Sequence, residues 1–212
     1  MFPFPIATPQ GCNIQTFYGN GIGSSVQKSW NKPVGVSHVY MMLIGAGGNG
    51  NGLGTGGGSG AVTVWYGAAQ HVPNIFRITF GTSATAVLPM FNLSSILTAN
   101  NGSGATAGTA STAGPFAASG FYQSVAGQDG SSGSITASTT TFLSGGKSNT
   151  GSAAVANYGY TFNSGASRAD GFFMLQPIIV GMGGQDDNNG GLGCGGGANG
   201  IGGNGMVLIA SW

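Results

Sequence analysis

The stretch GGLGCGGGANGIGGNG, residues 190–205, runs directly into MVLIASW, residues 206–212. Glycine loses more conformational freedom on folding than any other residue, so such a run ordinarily reads as a flexible linker. Here a hydrophobic, strand-like segment follows at once. A second run, GAGGNGNGLGTGGGSG at 45–60, also joins two apolar segments, the one ending at Ile44 and GAVTVWYGA at 60–68. Whether these two runs are packed or free sets the architecture of the chain.

In the wider segment 181–205, Gly181, Gly184, Gly190, Gly193, Gly196, Gly202 and Gly205 share one three-residue register, interrupted by Asp187 and Asn199. In the first run Gly45, Gly48, Gly54, Gly57 and Gly60 share a register broken by Asn51. A period of three matches an extended polyproline-II-type helix, which has no internal hydrogen bonds. Buried helices of that kind must find partners in their neighbours, and glycine at every third position lets backbones approach. Two free glycine loops are the other reading of the same residues. Leu192, Cys194 and Ile201, apolar residues inside the second run, favour packing. Collagen does not fit, because the strict repeat is short and proline is scarce.

Composition supports order. Of 212 residues, 41% are hydrophobic and 4% charged, glutamate is absent, and there are 12 Phe, 6 Tyr and 3 Trp. Disordered chains are usually charged and poor in aromatics. The net charge of +1 comes from scattered residues, so the basic stripe that nucleic-acid binding needs is missing. So uncharged a surface favours association, and a chain working inside an assembly is expected. The N-terminal MFPFPIATPQ lacks the pattern of a signal peptide, and no apolar stretch reaches the length of a membrane span. Cys12 and Cys194 form no metal-type spacing; two free, buried thiols are expected, with a bridge between them as the alternative.

Along the chain, residues 1–28 read as an extended N-terminal arm, kept out of central sheet positions by Pro3, Pro5 and Pro9. Residues 29–212 read as one glycine-rich β domain. Strands are expected at 39–44, 60–68, 74–81 and 206–212, with His71, Pro73 and Asn74 marking a hairpin-like turn. From about 82 to 180 the chain is rich in Ser, Thr and Gly and reads as a long insertion of short strands, with one helical turn near Leu93–Ala99. Good helix formers are nearly absent. The fold class is all-β: a jelly-roll-like β-sandwich with ordered, extended glycine segments.

SWNKPVGVSHVYMMLIGAGGNG (29–50), GGGSGAVTVWYGAAQHVPNIFRITFG (56–81) and GGLGCGGGANGIGGNGMVLIASW (190–212) occur in a telling order. A tryptophan and a Pro-x-Gly-Val turn lead into a strand that runs into glycines. Glycines then lead into two strands, and a last glycine run precedes a terminal strand closing on Trp. This order resembles the glycine-rich domains of bacteriophage tail fibres and related virion proteins. The resemblance implies a virion structural protein, a fibre-tip, spike or capsid-associated component. It implies a homo-oligomer, by analogy a trimer, that contacts other virion proteins and a host-surface glycan or protein. A cellular extracellular filament or matrix protein, and an ice-binding protein, are the alternatives.

Chemistry is sparse. His38 precedes an apolar strand and His71 lies in a turn; neither has the supporting residues of a nucleophile elbow, and an enzyme is not expected. GAGGNG after a strand superficially matches a dinucleotide loop, but neither a following helix nor a spaced acid accompanies it, so no cofactor is expected. Asp186 and Asp187, with Asn188 and Asn189, are the one dense set of oxygen ligands. They read as a solvated turn and only weakly as a calcium site, since the spacing of a known loop is missing. Tyr122, Tyr158 and Tyr160, near Asn and Ser, are the candidates for surface recognition, able to stack on glycans, with core or interface aromatics as the commoner role of such residues.

Overall fold

The computed structural model describes residues 11–20, 25–90, 94–132, 143–147, 158–160 and 179–212. Eleven strands, all paired antiparallel, and two short 3-10 turns make up the regular structure of these residues. The first sheet contains β1 (Asn13–Tyr18), β11 (Met206–Ser211), β3 (His38–Ile44), β4 (Val62–Ala68) and β8 (Gly120–Val125), in that spatial order. The second contains β2 (Val26–Asn31), β5 (Ile75–Phe80), β6 (Ala84–Pro89) and β7 (Leu97–Asn100). The two pack as a sandwich. A separate pair joins β9 (Tyr158–Tyr160) and β10 (Ile179–Met182).

The alternation of side chains along a strand decides what each face holds. Val39, Met41 and Leu43 of β3, Trp65 of β4, and Val207 and Ile209 of β11 point between the sheets, where they meet Trp30, Phe76, Ile78, Phe80, Val87, Leu97 and Ala99. The other face of the first sheet is buried too. Tyr40, Met42, Ile44, Val62, Val64, Met206, Leu208 and Ala210 form a second core with Leu143 and Cys194. Burial on both faces explains why β3 and β11 read as continuous apolar runs rather than alternating ones. Each large aliphatic side chain so buried contributes roughly 1.5–3 kcal/mol.

Trp65 owes its place to two glycines. Gly67 of β4 stands opposite Gly120 of β8, and a Cβ on either would run into the indole ring. The ring lies in the space they leave and packs on Phe116, with centroids 4.7 Å apart.

Several expectations are corrected. Part of the expected arm at 1–28 is sheet: β1 pairs with β11 along its whole length, and β2 pairs with β5. NIQTFY and VQKSWN are polar edge strands, and their exposure hides the pattern. The connection through His71 is no hairpin, because β4 and β5 belong to different sheets. It makes a 3-10 turn at Ala69–His71, where the Lys32 ammonium donates to the carbonyls of Ala69 (3.0 Å) and Val72 (2.8 Å). The helical turn expected near Leu93–Ala99 is replaced, from Leu97, by β7. Pairing with β6 and burial of Leu97 and Ala99 override any local preference there. Finally, β6, β7 and β8 all lie in the region read as an insertion, yet β6 and β7 are half of the second sheet.

Candidate recognition surface

Beyond the ends of β3 and β11, the glycine runs pack into a bundle joined backbone to backbone. Its centre is the run from Gly56 to Ala61. The amides of Gly56 and Ser59 donate to the carbonyls of Ser131 and Gln128. Those of Gly57 and Gly60 donate to Gly196 and Gly193, and those of Gly58 and Ala61 to Gly104 and Asn100. Residues three apart therefore address the same neighbour, which is the signature of a three-residue turn. Carbonyls of the run accept in return from three other stretches. Gly58 and Ala61 accept from Gly48 and Gly45, Gly57 from Gly146, and Ser59 from Gly108. Six stretches of chain thus surround one.

The run at 45–50 repeats the pattern: Gly45 and Gly48 donate to the central run, Gly47 and Gly50 donate to Gly203 and Gly200, and Ala46 donates to the Asn101 side chain. Contact this close excludes side chains. A Cβ on Gly56, Gly57 or Gly58 would strike the backbone of Gly146, Gly48 or Thr106, respectively. One glycine in three suffices for a run packed on one side, and the central run needs three in succession.

Gly45, Gly48, Gly57, Gly60, Gly184, Gly190, Gly193, Gly196, Gly202 and Gly205 all stand where a Cβ would collide with a neighbour. Gly54 and Gly181 are placed by their backbone. Gly54 has φ +90° in the turn that reverses the first run, and Gly181 lies in β10. The second run is likewise not one extended helix. It reverses around Ala198–Asn199, so that Gly203 donates to Cys194 and Gly190 to Ile201.

The reversals meet at one end of the bundle. Gly52 in the first turn donates to Ala198 in the last (2.8 Å), and Asn199 there donates to the Asp186 carbonyl (2.9 Å). The Asn199 amide group also reaches the Asp187 carboxylate at 2.8 Å. Asn51 folds its own turn by accepting from Leu53 and Thr55, while Asn189 accepts from Ile201 and Asn49 from Gly202. Out of this lattice Leu53 projects at 89% exposure and Ile201 at 57%. Ile201 is therefore not a packing residue, although Cys194 is fully buried and Leu192 packs against the second core.

Asp186 has φ 52°, a turn conformation. Among the described residues no three His, Cys, Asp or Glu side chains gather as a metal-binding group. Both cysteines are free thiols. His38 stacks on Tyr66 and Trp212, at 5.7 and 6.1 Å, and its Nδ1 shares a hydrogen bond with the Ser37 hydroxyl. His71 is exposed on its 3-10 turn.

The three tyrosines are not brought together by any described contact. Tyr158 and Tyr160 lie on β9, and their side chains fall outside the described residues. Tyr122, on β8, is half-buried, and its hydroxyl donates to the Ser111 carbonyl at 2.8 Å. It lines a cleft of about 480 Å³ between β7 and the segment 110–114. The walls are tied by hydroxyls. Ser111 Oγ and Thr63 Oγ1 both donate to the Thr98 carbonyl (2.6 and 2.7 Å), Thr63 Oγ1 shares a hydrogen bond with Ser124 Oγ, and that oxygen accepts from the Ser111 amide. Sequence reading missed this network, because Ser and Thr are so common from 82 to 170 that none stands out.

Compared with known proteins, the chain matches no protein-family model and no curated protein.

Proposed function

We propose that this chain is a virion structural protein, a fibre-tip, spike or capsid-associated component that works by assembly and by contact with a host surface. The observation that carries the reading is the glycine bundle. It gives a physical role to the order of strands and glycine runs that resembles the glycine-rich domains of phage tail fibres. Backbone-to-backbone packing holds the turns at its end in a fixed lattice, from which Leu53 and Ile201 protrude. A preformed surface loses little entropy on binding, and exposed apolar side chains among polar ones suit protein recognition. The chain acts with copies of itself, a trimer by analogy, and with other virion proteins.

Electron microscopy of particles labelled with antibody to this chain tests the reading. Labelling confined to fibres or spikes supports an appendage role, and labelling over the shell supports the capsid-associated one. Particles that carry no label, prepared from cells that express the chain, overturn the proposal.

A further inference from the structure

We infer that the cleft between β7 and the segment 110–114 is a binding site for a neutral saccharide. The inference rests on the host-contact reading for the source of the sugar, but the argument is chemical. The cleft, of about 480 Å³, falls in the size range of small-molecule sites. Ser95, Thr98, Asn100, Ser111, Thr112 and Tyr122 give it hydroxyl and amide groups, Ile96 and Ala110 give it apolar surface, and no charged residue lines it. An ion entering would lose hydration with no opposite charge to replace it. The Asn100 amide nitrogen already donates to Thr109, and a purely apolar ligand would leave the Asn100 side-chain oxygen and the exposed Thr112 hydroxyl without their water. A ring of carbons bearing neutral hydroxyls satisfies both kinds of wall, since each hydroxyl both donates and accepts.

The walls are also built in advance. Segment 110–114 is held from the second sheet through Thr98 and from the first through Ser124 and Tyr122. The cleft therefore spans the open edge between the two sheets, with Ser111, Tyr122 and Asn100 fixed by hydrogen bonds within the protein rather than ordered by the ligand. Such preorganisation lowers the entropic cost of binding.

The test is titration of the isotope-labelled full chain with neutral mono- and oligosaccharides, followed by backbone amide shifts, with uronic and sialic acids as charged comparators. The expected result is millimolar binding of at least one neutral sugar, with shifts confined to residues 95–100, 110–114 and Tyr122. Ala110 is exposed, so Ala110→Trp fills the cleft without entering the core. That variant should weaken binding about tenfold or more, equivalent to about 1.4 kcal/mol, while the glycine amides keep their shifts. Thr112→Val, which removes one exposed hydroxyl, should weaken it several-fold. The inference is overturned if no neutral sugar shifts the cleft amides, if only charged sugars bind, if the shifts map to the Leu53 and Ile201 end, or if Ala110→Trp binds as before. Labelled particles with a cleft that ignores sugars would remove this inference alone. A cleft that binds sugar in a chain absent from particles would remove the virion reading and leave the site.

Discussion

Gly57 shows how little room the bundle leaves. A Cβ there would sit inside the Gly48 carbonyl, and neither backbone can retreat without breaking other hydrogen bonds. Gly57→Ala should therefore destabilise the chain by about 3 kcal/mol or more, at or beyond the upper end of overpacking costs. Gly114→Ala meets nothing within 4 Å and should change stability by no more than about 1 kcal/mol. Urea midpoints of the two variants decide the comparison. Ser211 makes the opposite case: its hydroxyl is fully buried with no hydrogen-bond partner, so Ser211→Ala should raise stability by roughly 1 kcal/mol. A lowered urea midpoint would contradict that. The thiol of Cys194 couples stability to pH. Burial pushes its thiol up from 9.0 to about 11, against the opposing hydrogen bond with the Ser144 backbone. The folded chain therefore keeps this proton after the unfolded chain has lost it. Its contribution is complete below about pH 9 and lost as pH rises through about 11. At pH 8 an aromatic disulfide reagent should modify the half-exposed Cys12 first and reach Cys194 only on unfolding. Equal rates for the two thiols would show that Cys194 is not enclosed.

At the scale of elements, side-chain hydroxyls tie the edges of the two sheets together. Ser124→Ala removes the acceptor of the Ser111 amide and a partner of Thr63. It should cost about 1–2 kcal/mol and loosen segment 110–114, seen as faster amide exchange there and unchanged exchange in β3. What was legible in the sequence follows from the same physics. β3 and β11 were readable because burial on both faces leaves continuous apolar runs, and β4 and β5 because aromatic and β-branched residues cluster in them. β1 and β2 were hidden because edge strands in this sandwich carry Asn, Gln and Lys. β6 and β7 are indistinguishable in sequence from the surrounding insertion, because Ala and Thr suit the interior of a sandwich and a polar loop equally. The three-residue glycine register pointed to packed runs, but not to their reversals, which depend on Gly54, Asp186 and Ala198–Asn199. The cleft was foreshadowed by Tyr122 alone, since its other walls come from residues whose meeting only the sheet order creates.

For the whole molecule, backbone hydrogen bonds and apolar burial replace charge as the source of order. With 4% charged residues, raising salt from low concentration to half-molar should shift the thermal midpoint by no more than about 2 °C, because little surface electrostatics exists to screen. The central claim is that the glycine runs form a hydrogen-bonded bundle continuous with the sandwich. Amide hydrogen exchange, resolved residue by residue, tests it most directly. The amides of Gly57, Gly58, Gly60, Gly196 and Gly203 should exchange as slowly as those of β3 and β11. Exchange of these glycines at the rate of a free linker, beside protected strands, would contradict it.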